Sequence, residues 1–167
     1  MKKMTEEHLK NAYAGESQAH MKYLAFADAA EKEKFSNVAR LFRANSYAEQ
    51  VHATNHLRTL NGIGKTAENL QAAENGENFE VEEMYPAYIK VAEDQGEKMA
   101  ATMFVWAMAA EKVHAGLYQR AKEVIDKGKD LGYFPVHVCS NCGFTVEGEA
   151  PDKCPVCGAS KQKFVKF

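Results

Sequence analysis

A chain of 167 residues, 46% hydrophobic and 26% charged, is sized for one core of ordinary dimensions plus a small appendage, and its composition is globular rather than disordered. A formal charge of −2 offers no basic patch to neutralise phosphates, which sets nucleic acid aside as a partner. The amino terminus turns acidic at Glu6 and Glu7 without an apolar run, and the longest apolar stretch, Met99 to Ala110, is far short of the roughly 20 residues of a membrane helix, so a cytoplasmic protein with no membrane partner is expected.

Apolar residues recur at helical period from Thr5 to Glu33 through Leu9, Ala12, Tyr13, Ala19, Tyr23, Phe26, Ala27 and Ala30. Glu16 interrupts that stripe, and a carboxylate on a core-facing stripe is costly unless something pairs with it. Ser36 or Asn37 can cap a second helix that runs to about Leu60 and stops at Asn61-Gly62. Its inner face carries Val38, Leu41, Phe42, Asn45, Ala48, Glu49 and His52, again with polar residues on the buried side. Asn61 to Gly76 reads as a long connection with a short helix near Thr66 to Ala73, long enough to cross the end of a bundle or to hand the second half to another subunit. A third helix is predicted from near Glu77 to Glu80, with Pro86 bending or marking its start. Gly96 separates it from a fourth, about Glu97 to Lys127, which Gly128 ends. After the linker Lys129 to Pro135, turn residues Gly143, Gly148, Pro151, Pro155 and Gly158 predict small hairpins. The organisation expected is a bundle over residues 1–130 and a small metal domain over 135–167.

One motif occurs twice, as Glu49-x-x-His52 and Glu111-x-x-His114. Glu and His three apart on a helix project from one face. Glu16 precedes the first copy by 33 residues and Glu77 precedes the second by 34, so the halves read as two copies of one helix hairpin. A Glu from each of two helices plus a Glu-x-x-His from each of the other two is how ferritin-like bundles hold two iron or manganese ions, and oxygen-rich ligation suits those metals better than zinc. An ordinary exposed helix face explains one Glu-x-x-His, but not two at matched spacing on apolar stripes with partner glutamates. Glu80 is surplus to the symmetric set, one turn from Glu77, and offers an alternative ligand. His56 follows His52 by one turn without a second copy to support it, and His8, His20 and His137 have weaker claims. Tyr23, Tyr85 and Tyr118 lie on the ligand faces, where a phenol packs in a core or orients a carboxylate. Carboxylates gathered without metal should have raised pKa values, which predicts a metal-free bundle that weakens as pH rises.

All four cysteines fall in the pairs Cys139-x-x-Cys142 and Cys154-x-x-Cys157, each followed by glycine. In a reducing compartment this spacing favours a tetrahedral four-thiolate site over disulfides. Zinc is the more frequent occupant of such a site, whereas iron beside a two-metal centre could pass electrons to it.

Taken with the segments Ala14-Gly15-Glu16-Ser17, Gly76-Glu77-Asn78-Phe79-Glu80 and Met84-Tyr85-Pro86, the whole chain resembles the rubrerythrin family. The resemblance implies an all-α four-helix bundle, ferritin-like, followed by a small β/loop rubredoxin-like metal domain. It implies a non-haem diiron peroxidase of oxidative-stress defence that reduces hydrogen peroxide to water, with electrons relayed through one iron at Cys139, Cys142, Cys154 and Cys157, where zinc can substitute. By the same resemblance Glu49 and Glu111 bridge two irons, Glu16 serves one, and Glu77 with His114 serves the other. The first iron exchanges His52 for Glu80 on oxidation, and Tyr23 and Tyr85 hydrogen-bond around the site. The partners implied are hydrogen peroxide and an electron donor such as rubredoxin or an NAD(P)H-dependent reductase. A rigid tail just past the fourth helix is not expected to fold back readily onto its own buried site. That predicts a homodimer in which one subunit's tail serves the other, with room for exchanged helix pairs. A ferritin-like ferroxidase is the alternative, and a zinc ribbon appended to a metal store is a third reading.

Overall fold

The first two apolar stripes form α1, Lys3–Lys32, and α2, Ser36–Thr59, in a computed structural model that describes all residues from Met1 to Phe167. Two units divide the chain, Met1–Gly64 and Lys65–Phe167. In the first, α1 and α2 are joined by a tight turn with Lys34 at φ +67° and a Phe35 N–H bond to the Ala30 carbonyl of 2.8 Å. The helices meet through small residues: Ala27, Ala30 and Ala39 form a buried cluster flanked by Phe42. Ser46, 1% exposed, donates its hydroxyl to the His20 carbonyl at 2.9 Å, and His20 Nδ1 lies 2.9 Å from the Ser46 carbonyl. The larger apolar side chains of this pair remain open, Leu41 at 61% exposure and Phe26 at 47%. Tyr23, Phe26 and Phe42 nevertheless form a ring cluster with centroids 5.6–6.3 Å apart.

The second unit departs from the sequence reading at its start. Helix α3 spans Thr66–Phe79, with the Glu68 carboxylate accepting the Lys65 N–H at 2.6 Å, one half of a capping box. It runs without a break through a single π turn, Glu80–Met84, into α4, Tyr85–Asp94. The predicted long connection therefore shrinks to residues 60–65, and the predicted third-helix start near Glu77 lies inside a helix that begins eleven residues earlier. Gly76 does not stop the helix, because an interior glycine costs only about 1 kcal/mol. Pro86 has no N–H to donate and is accommodated just after the π turn, where the ladder has already shifted to a Tyr85 N–H bond with the Glu80 carbonyl. Gly96, at φ +74°, turns the chain into α5, Lys98–Ile125. Tyr85, Tyr88 and Phe104 form a second ring cluster, with centroids 5.6–6.4 Å apart, that mirrors the first.

The tail is a three-stranded antiparallel sheet in the order β2-β1-β3, built from β1, Val136–Cys139, β2, Thr145–Glu147, and β3, Phe164–Lys166. His137 pairs with Val146 on one side and Lys166 on the other. Contrary to the sequence expectation, this tail does fold back onto its own α5. Arg120 pairs with Glu147, Thr145 reaches His114, and a Cβ placed on Gly143 would stand 3.9 Å from that of Ala110. The linker between Ile125 and Val136 is long enough to reverse the chain. No helix is long and apolar enough to cross a membrane.

Candidate metal centres

Each helix pair brings two carboxylates and an imidazole together. In the first unit α1 contributes Glu16, and α2 contributes Glu49 and His52, with ligand atoms within 4.8 Å of one another. His52 Nδ1 lies 3.0 Å from Glu49 and 3.9 Å from Glu16. The two carboxyls share a hydrogen bond that raises the pKa of Glu16 and lowers that of Glu49. His56 stands close enough to Glu16 for its charge to act there, so it flanks the triad without joining it. His52 itself is half exposed, its side chain at 53%.

The second unit repeats the arrangement with Glu77 from α3 and Glu111 and His114 from α5. His114 Nδ1 lies 2.6 Å from Glu111 and 3.9 Å from Glu77. Burial, followed by the neighbouring Glu111 charge, pushes Glu77 up to about 7. Glu80 sits at the start of the π turn, outside the close triad, yet near enough to Glu111 and His114 to feel both charges. Burial is the main cause of its raised pKa. Tyr85 and Tyr118 are also held above the usual phenol range, first by burial and then by these carboxylates, so both phenols keep their protons and can donate hydrogen bonds toward the triad. Tyr23 belongs to the ring cluster of the first unit. Among the remaining histidines, His20 is tied to Ser46 and His137 Nδ1 to the Gly148 carbonyl at 2.7 Å.

All four cysteine thiols are free of disulfides and converge within 4.8 Å. The Cys139–Cys157 and Cys142–Cys154 sulfurs are 3.7 and 3.5 Å apart. A tetrahedron with metal–sulfur bonds of about 2.3 Å has edges of about 3.8 Å, so the cage fits one metal ion. Each knuckle closes by an amide bond, Gly143 N–H to the Cys139 carbonyl and Gly158 N–H to the Cys154 carbonyl, both 2.9 Å, with both glycines at positive φ. Burial raises the Cys139 and Cys142 thiols, while amides of Asn141, Cys142 and Phe144 bond their sulfurs and favour the thiolates. At Cys157 burial is outweighed by hydrogen bonds from the Asn141 side chain and the Ala159 amide, which bring it down to about 6. These are the sulfur-directed amides that stabilise a metal-bound thiolate.

Thr145 was not among the residues singled out by sequence. It lies three residues past Cys142 and joins His114 across 31 positions, a contact for which no local pattern exists.

A family model described as Rubrerythrin matches residues 7–122, and one described as Rubrerythrin, rubredoxin-like domain matches residues 137–165. Rubrerythrin-2 of Clostridium acetobutylicum is 40% identical over 98% of this chain and 97% of its own length. Nigerythrin of Nitratidesulfovibrio vulgaris is 36% identical over 98% of this chain and 86% of its own. Solved structures of nigerythrin, in a mixed-valence state and in a fully reduced, all-ferrous state, align with a TM-score of 0.57 and the same identity and coverage.

Proposed function

The chain belongs to the rubrerythrin family, and from that premise we propose that it is a peroxidase, reducing hydrogen peroxide to water in oxidative-stress defence. Its fold is a helical bundle followed by a small rubredoxin-like domain. Its cofactors are two non-haem irons, held by carboxylates and histidines, and one metal ion at four cysteines.

The observation that supports the reading is the presence in one chain of two Glu/Glu/His triads and a four-thiol cage, the cage seated against the helix that carries Glu111 and His114 of one triad. When bound, two ferrous ions together supply the two electrons that reduction of an O–O bond requires, and a four-thiolate iron supplies single electrons to restore them. In this assignment Glu49 and Glu111 would be the ligands shared by the two irons, Glu16 would serve one of them, and Glu77 with His114 would serve the other. His52, half exposed, would be the ligand for which Glu80 can substitute. The phenols of Tyr23 and Tyr85 would donate hydrogen bonds around the site. Residues 1–130 form the catalytic bundle and 135–167 the electron-entry domain, served by an external donor such as rubredoxin or an NAD(P)H-dependent reductase. The working form is a cytoplasmic homodimer.

The test is donor-dependent peroxide turnover by the iron-loaded chain, intact and cut near Gly132. Loss of turnover on cutting is expected. Unchanged donor-dependent turnover would refute electron entry through the tail. Oxygen-driven accumulation of iron mineral without peroxide turnover would favour a ferroxidase instead.

A further inference from the structure

Thr145 is 7% exposed, and a buried hydroxyl must place one proton and use its lone pairs. Its Oγ stands 2.8 Å from His114 Nε2 and 3.1 Å from the Gly143 carbonyl. A carbonyl can only accept, so the Thr145 proton goes to Gly143. The hydroxyl must then accept from His114, which requires a proton on Nε2. In the neutral ring this tautomer puts the lone pair on Nδ1, the nitrogen facing Glu111 and Glu77, where a metal would take the place of the Glu111 contact. The Gly143 carbonyl is itself fixed by the knuckle: the residue sits at φ +81° with its N–H bonded to the Cys139 carbonyl, and Thr145 pairs with Val138 in the sheet. The other copy of the motif has no such support, since the His52 ring bonds only through Nδ1 and stands half in solvent.

We propose that Thr145 is a positioning residue that holds His114 as the Nε2–H tautomer, and that this hold is delivered to the bundle ligand by the four-cysteine domain of the same chain. The inference rests on His114 being a metal ligand, as proposed above. It assigns the tail a structural part in the bundle centre that is separate from any transfer of electrons. It also explains the division between the two histidines: one ring is anchored from behind and the other is free to leave.

The test uses the full-length, iron-loaded protein and follows iron release from the bundle to a ferrous chelator, with the visible band of the four-cysteine iron as an internal check on the tail. Thr145→Val keeps the shape and removes the hydroxyl, and release about tenfold faster is expected, within the range by which an outer hydrogen-bond partner changes metal affinity. Thr145→Ser restores the hydroxyl and should stay within about twofold of wild type. Equal release from the Val variant and wild type, or equal acceleration in Val and Ser, would overturn the proposal. His114→Ala separates the two levels of argument. If it speeds release and Thr145→Val does not, only the Thr145 role fails. If it has no effect, the ligand assignment fails and this inference with it. Should Thr145→Val alter the tail band, nitrogen-15 histidine spectra of the zinc-loaded wild type decide: a slowly exchanging Nε2 proton on His114 supports the hold, and a rapidly exchanging or absent one refutes it.

Discussion

Stripped of metal, the bundle should record the ionisation of Glu77 in its melting temperature. Burial and the adjacent Glu111 charge raise its pKa from 4.5 to about 7, and the side chain is only 18% exposed. A displacement of about 2.5 units at about 1.4 kcal/mol per unit corresponds to about 3 kcal/mol. The sign follows from the direction. A carboxyl whose folded value is raised favours the native state fully below the unfolded value near 4.5, and that contribution is lost as pH climbs through 7. For a chain of this length 1 kcal/mol shifts Tm by about 2–4 °C, so the loss amounts to roughly 6–12 °C between pH 5 and 8. Glu16 and Glu80 move the same way and Glu49 the opposite way, so the comparison is made against Glu77→Gln, which retains those groups and removes one. Calorimetric melts of chelator-treated wild type and variant across that range should converge at neither end: the wild type gains relative to the variant at pH 5 and loses at pH 8. Parallel curves would refute the assignment of the shift to Glu77, and the slope should disappear when iron is restored.

Three further outcomes are expected. Glu80→Ala should slow peroxide reduction more than it weakens iron binding, since Glu80 lies beside the triad rather than in it; equal losses in both assays would make it an ordinary ligand. Ser46→Ala removes the cross-helix hydrogen bond to the His20 carbonyl and should cost about 0.5–1.5 kcal/mol in urea unfolding, so an unchanged midpoint would remove that bond from the account of α1–α2 pairing. Cys157→Ser should abolish the charge-transfer colour of the tail while the bundle keeps its two irons, which iron analysis combined with the visible spectrum will show.

Much of this was legible in the sequence because it depends on local period. The stops at Asn61-Gly62, Gly96 and Gly128 all lie within a few residues of helix ends, and the two Glu/Glu/His groups follow from two copies of one pattern, although Val38 and Leu41 of the face expected inside are exposed. The error at α3 has a physical cause. The stretch Asn61 to Gly76 contains four turn-favouring residues, Gly62, Gly64, Asn75 and Gly76, yet only the first two lie outside a helix, where Gly62 comes so close to Leu57 that a side chain would clash. Gly76 is carried by the turns on either side of it. Thr145 and the return of the tail to α5 were invisible because they join residues on separate elements whose meeting depends on the full path of the chain.

The π turn at Glu80–Met84 gives the two near-repeats an exact bookkeeping difference in chain length. Glu16 and Tyr23 are seven residues apart, whereas Glu77 and Tyr85 are eight; from Tyr23 to Glu49 and from Tyr85 to Glu111 the count is twenty-six in both. The surplus is thus a single inserted residue, localised to the segment where the helix widens to absorb it. Deleting one residue there would return the segment to an ordinary helix and, because the wider turn absorbs the extra residue, keep Tyr85 and Tyr88 on the face that meets Phe104, as Tyr23 and Phe26 meet Phe42 in the other hairpin. At the position of Glu80, three past the first glutamate, the other hairpin has Ala19. The chemical inequality of the two halves therefore coincides with an indel, and a one-codon deletion is the mutation that would make the hairpins geometrically alike again.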